Sequence, residues 1–100
     1  MQKDPCVYIL ASQKNGTLYV IVTSNLQQRI WQHKSKHVKG FTARYNVTRL
    51  AYFEPHVDMG EAIRRERQLK KWYRQWKIDL IEAGNPAWED LWGRGFDGLD

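Results

Sequence analysis

The run from Val7 to Val22, VYILASQKNGTLYVIV, constrains this chain more than any other stretch. Two segments, VYILA and LYVIV, are too short for helices and rich in β-branched and aromatic residues, so both read as strands. Between them Asn15-Gly16 offers two residues that tolerate positive φ, the strongest short-range hairpin signal. A two-residue turn there pairs Lys14 with Thr17, Ser12 with Tyr19, Leu10 with Ile21 and Tyr8 with Thr23. Side chains alternate across a strand, so Tyr8 and Tyr19 share a face, offset by four residues or roughly 13 Å along the ribbon.

Ser24 with Gln27 has the form of a capping box and predicts a helix from about Asn25 to His37. Arg29 and His33 are an i, i+4 pair on that helix and border its apolar side, Leu26 and Ile30. A basic loop, SKHVKGFTARYN, leads to a third strand, VTRLAYFE, ending at Pro55. Asp58 with Glu61 opens a second helix from about Met59 to Tyr73, and a further one covers Gln75–Glu82, stopped by Gly84, Asn85 and Pro86. In the second helix Ala62, Ile63, Leu69 and Tyr73 form an apolar stripe with Glu66 in its middle. A carboxylate there must be paired, with Arg29 as a candidate, or must hold a cation. For Asn85 the default reading is a residue that terminates a helix.

A chain of 100 residues supports one domain with one core, here placed at about 6–92 with the tail 93–100 expected to fray. No apolar run approaches membrane-spanning length, and MQKDPCVYIL lacks a secretory apolar segment, so a cytoplasmic location is expected. The single cysteine, Cys6, begins an apolar strand and reads as a small buried hydrophobe. The formal net charge is +5, and residues 27–49 carry basic side chains without one acid. That pattern fits a polyanion partner or a solvated face.

Taken in order, these residues resemble the GIY-YIG nuclease domain. Cys6-Val7-Tyr8 and Tyr19-Val20-Ile21 stand at its two tripeptides, Arg29 and His33 at its arginine and histidine, Glu66 at its metal-binding glutamate and Asn85 at its asparagine. The runs VYILAS, NGTLY, TSNL, RIWQHK, GFTARYNVTRL, RERQLK and NPAWEDL are similar to those of short single-domain bacterial members. The resemblance implies an α+β fold, a small central three-stranded antiparallel sheet flanked by helices. It also implies phosphodiester hydrolysis with one divalent ion, Mg²⁺ or Mn²⁺, held by Glu66. Arg29 would support the phosphate, Tyr19 would serve as base with His33 as its helper, and Tyr8 would position water or substrate. A tyrosine needs nearby positive charge for that role, its ordinary pKa being about 10.

The implied partner is DNA, with RNA open, bound by a chain taken as monomeric. Lys34, Lys36, Lys39 and Arg44 are candidate phosphate contacts, and Phe41 and Tyr45 candidate stacking residues. One departure matters: Ile21 replaces the second tripeptide's glycine, and a branched side chain there can block the phosphate's approach. A second reading is therefore a catalytically impaired nucleic-acid-binding module. A third is a protein-interaction domain built on Trp72, Trp76, Trp88 and Trp92.

Overall fold

The computed structural model describes residues 4–35 and 47–92. In chain order the elements are β1 (Cys6–Ala11), β2 (Leu18–Thr23), α1 (Leu26–Ser35), β3 (Arg49–Pro55), α2 (Met59–Lys71) and α3 (Arg74–Gly84). The strands form one antiparallel sheet in the order β2-β1-β3. Its central strand is buried along its whole length, which is why VYILA is apolar on both faces. Among the described residues no helix is long and apolar enough to cross a membrane.

The hairpin register differs from the two-residue expectation. Tyr8 lies opposite Ile21 and Leu10 opposite Tyr19. The loop is longer because Ser12 closes it: its amide donates to Thr17 O at 3.1 Å, and its hydroxyl accepts from Thr17 N at 3.0 Å. Inside the loop only Asn15 takes the left-handed conformation, at φ 59°, and Gly16 N returns to Gln13 O. Tyr8 and Tyr19 keep their common face, but they are diagonal neighbours two residues apart rather than four.

The cap of α1 is Asn25, in place of the Ser24–Gln27 box. Asn25 Oδ1 accepts from Gln28 N at 3.1 Å, while Thr23 Oγ1 accepts from Asn25 N at 3.0 Å. An asparagine so placed satisfies an otherwise unpaired first-turn amide. At α2 the sequence signal holds, since Asp58 Oδ1 accepts from Glu61 N at 2.8 Å. This helix stops at Lys71, before Tyr73, because Trp72 and Tyr73 are extended, with ψ of 149° at each. Tyr73 thereby leaves the apolar stripe and becomes 71% exposed.

Two apolar layers sandwich the sheet. Val7, Ile9, Ala11 and Val20 pack with Ala62, Leu69, Ile78, Ile81 and Trp88 on the side of α2 and α3. Tyr8, Leu10 and Ile21 pack with Leu26 and Ile30 on the α1 side. A bulge in β3 leaves Ala51 without a residue opposite on β1. Asn85 Nδ2 donates to the Ala51 carbonyl at 3.0 Å, and its Oδ1 accepts from Glu89 N. Beyond it, Leu91 N donates to Leu50 O and Asp90 Oδ1 accepts from Leu50 N, so the chain covers the β3 edge. The NPAWEDL run is thus a clasp that closes the fold. Residues 93–100 lie outside the described residues.

Candidate active site

Arg29 rises from the first turns of α1 beside the buried Leu26 and Ile30 and reaches the sheet. Its guanidinium hydrogen-bonds to Tyr8, and Nη1 also donates to Gln32 Oε1 at 3.1 Å. Tyr8 is fully buried. Burial pushes its phenol well above the ordinary tyrosine range, and Arg29 pulls in the opposite direction without prevailing. Tyr8 is therefore a protonated, positioned hydroxyl at neutral pH. Tyr19, half-buried on edge strand β2, is its diagonal neighbour, roughly 7–8 Å away at the backbone. His33 follows Arg29 by one turn of α1, and its side chain lies outside the described residues.

The structure therefore gathers Tyr8, Tyr19 and Arg29 on one face. Ile21 belongs to the same face, directly opposite Tyr8 and buried against α1, rather than between the two tyrosines on an open surface.

Glu66 comes from the other layer. It shares a stripe with the buried Ala62 and Leu69 of α2, which lies over β1 and β2. Arg65, on one flank of the stripe, reaches Glu54 of β3, so the opposite flank and Glu66 turn toward β2. Its partner is Lys70 on its own helix, 3.4 Å away, and not Arg29. That ion pair is long and its lysine is half exposed, so Lys70 can yield to a dication. A single carboxylate plus waters suits magnesium or manganese chemistry. Among the described residues there is no group of three or more His, Cys, Asp or Glu side chains able to cage an ion. Glu66 is the carboxylate that would hold such an ion.

Two other candidates are committed to the fold. Asn85 spends its whole side-chain amide on the β3 bulge and the 85–89 turn. Lys34 donates to Thr48 O at 3.0 Å and forms an ion pair with Asp90, so it clamps α1 to the clasp. Lys36, Lys39, Phe41, Arg44 and Tyr45 lie outside the described residues. Cys6 is buried, and desolvation pushes its thiol up to about 12, which removes it as a nucleophile.

Sequence reasoning missed a polar cluster on the α2 side of β3. Glu54 accepts from Tyr52 Oη, from Arg65 Nε at 2.9 Å, and lies 2.6 Å from His56 Nε2. Burial pushes the Glu54 carboxyl up, but its bonds from Tyr52, Arg65 and His56 outweigh that and hold it below its ordinary value. The signal was the alternation Tyr52, Glu54, His56, which puts three polar groups on one strand face. By holding Arg65, this cluster fixes the rotation of α2 that turns Glu66 toward β2.

A family model described as the GIY-YIG catalytic domain matches residues 4–79. Among curated proteins, a UPF0213 protein of Autographa californica nuclear polyhedrosis virus is 44% identical, over 78% of this chain and 76% of its own length. A UPF0213 protein of Staphylococcus haemolyticus is 38% identical, over 76% of this chain and 92% of its own. The solution NMR structure of a UPF0213 protein from Bacillus halodurans superposes with a TM-score of 0.55 at 27% identity, over 88% of this chain and 93% of that one.

Proposed function

The chain belongs to the GIY-YIG family, a nuclease-type catalytic domain, and from that premise we propose that it is a metal-dependent endonuclease of DNA, acting in the cytoplasm on damaged, branched or single-stranded substrates. The observation that carries this reading is the gathering of Tyr8, Tyr19 and Arg29 on one face beside the β2 edge, toward which Glu66 turns from the other layer.

In this reading Arg29 receives the scissile phosphate and offsets the negative charge that grows in the transition state. Tyr8, held by Arg29 and buried, keeps its proton and serves as a hydrogen-bond donor that positions water or substrate. Tyr19, on the exposed edge, accepts the proton of the attacking water, with His33 positioned one turn from Arg29 to take it onward. Glu66 would hold the ion, which when bound supplies Lewis-acid stabilisation of the phosphate oxygens.

The test is cleavage of labelled single-stranded, duplex, flap and branched DNA, with matching RNA, in Mg²⁺ or Mn²⁺. The native chain is expected to cut, and Glu66→Gln to abolish cutting while keeping the native melting curve; Arg29→Met should abolish cutting too, at a lower Tm because the buried Tyr8 hydroxyl loses the Arg29 hydrogen bond. Cutting retained by Glu66→Gln rejects the assignment.

Ile21 favours a second reading, a nucleic-acid-binding module with an impaired site. Its side chain occupies the position opposite Tyr8 where the family's tripeptide has glycine. In that case the native chain binds DNA without cutting it, and binding ignores metal but weakens steeply with salt.

A further inference from the structure

Between residues 64 and 77 the chain carries seven Lys and Arg against the single Glu66, and its aromatic residues lie in the same stretch. The break between α2 and α3 turns two of those rings outward: Tyr73 is 71% exposed and Trp76 51%. They meet edge to face, centroids 4.9 Å apart and planes at 83°. Trp72 differs, being half-buried beneath the Arg65 guanidinium 5.1 Å from its ring. Isolated exposed aromatics need no explanation, but two adjoining ones set among lysines do.

We propose that this elbow is a binding surface for unpaired nucleic-acid strands, with bases stacked on Tyr73 and Trp76 and phosphates against Lys71 and Lys77. The charge selects a polyanion, and the paired rings select exposed bases, which duplex DNA does not offer. The elbow also adjoins the catalytic face. Arg74 Nη2 donates to Asn15 O at 2.7 Å and to Gly16 O at 2.6 Å, fastening it to the β1–β2 loop. Tyr19 is the second residue of the strand that leaves that loop, and Glu66 precedes the elbow on α2. A strand seated on the two rings is thereby led to the β2 edge.

The surface is separate from the residues assigned to hydrolysis, so it is tested without metal and without cleavage. Fluorescence anisotropy of a short labelled oligothymidylate and oligouridylate, with a duplex of equal length, is measured in EDTA on the native chain, Tyr73→Ala, Trp76→Ala and Lys71→Gln/Lys77→Gln. Each ring removed should weaken single-strand binding about tenfold, from about 1–3 kcal/mol per stacked base. Duplex affinity should change far less. The lysine pair should lower the salt slope by about 1.4, at about 0.7 per phosphate contact. The two labelled strands show whether the sugar matters, and ring-dependent binding of either supports the surface. Three results overturn it: unchanged single-strand affinity without the rings, equal losses on duplex and single strand, or a native dimer that Trp76→Ala dissociates. Tyr73 is mostly exposed, so its variant should keep the native melting curve, while Trp76 is half-buried against Trp72, so binding by its variant is scaled to the folded fraction. Failure here with metal-dependent cleavage intact rejects the elbow and leaves the nuclease reading standing.

Discussion

Restoring the family's glycine at position 21 should remove a large share of this protein's stability. Ile21 is 9% exposed and packs with Tyr8, Leu26 and Ile30 between the sheet and α1. Removing a buried isoleucine side chain down to alanine costs about 2–5 kcal/mol through lost transfer energy and the cavity left behind. Going on to glycine adds about 0.5–1 kcal/mol, because glycine loses more backbone freedom on entering a strand. The sum, about 3–6 kcal/mol, is a large share of the stability of a domain this size, about 5–15 kcal/mol. The assay is equilibrium urea unfolding of Ile21→Val, Ile21→Ala and Ile21→Gly. A graded loss is expected, about 0.5–1.5 kcal/mol for Val and the full amount for Gly. A loss under about 1 kcal/mol for Ile21→Gly would refute the packing and with it the Tyr8–Ile21 register. Any cleavage by Ile21→Gly must therefore be scaled to its folded fraction before the site is called unblocked.

Other perturbations separate structure from chemistry. Asn85→Ala leaves the Ala51 carbonyl unpaired, a penalty of about 1–3 kcal/mol, and should lower Tm by roughly 10 °C for a domain of this size; an unchanged Tm with lost cleavage would return Asn85 to catalysis. Ellman's reagent at pH 8 should label Cys6 only as fast as the protein opens, since burial holds the thiol up at about 12; immediate labelling would refute its burial. The Glu54 carboxyl is held below its ordinary 4.5, so its contribution to stability is present above that value and lost as pH falls through the lower folded value. Acid titration of stability should accordingly be shallower in Glu54→Gln, and identical slopes would show that the cluster with Arg65 and His56 is not maintained in solution.

Much of the architecture was legible in the sequence because its signals are local. Two β-rich runs, an Asp58 cap and alternating periodicities fix the element order without knowledge of tertiary contacts. What was not legible depended on partners distant in sequence or on competition between neighbouring caps. Asn15-Gly16 suggested a two-residue turn, yet the Ser12 hydroxyl could satisfy Thr17 N, and that lengthened the loop and moved the register by two. Asn25 outcompeted Ser24 as cap because Thr23 was available to hold Asn25 N. Asn85 was legible as a helix terminator, and its amide does cap the last helix on Ile81 O, but its side-chain hold on a bulge in a strand 34 residues away was not. Lys34 looked like part of a basic run, and only the returning chain, with Asp90, showed it to be a clamp.

The same distinction divides the family's signature residues. Tyr8, Tyr19 and Arg29 are joined by neighbouring strands and the helix that directly follows them, so hairpin parity alone puts the tyrosines on a common face, and the longer loop makes them diagonal neighbours. Glu66 arrives on the opposite layer, and its orientation depends on α2 being rotated correctly. That rotation is set by Arg65, the residue before it, bonded to a carboxylate that Tyr52 and His56 also hold. A site assembled around an edge strand needs such a device, because no sheet hydrogen bond fixes a helix against rolling. The polar face of β3, which carries no residue of the family signature, is therefore what brings the glutamate to the edge where the tyrosines wait.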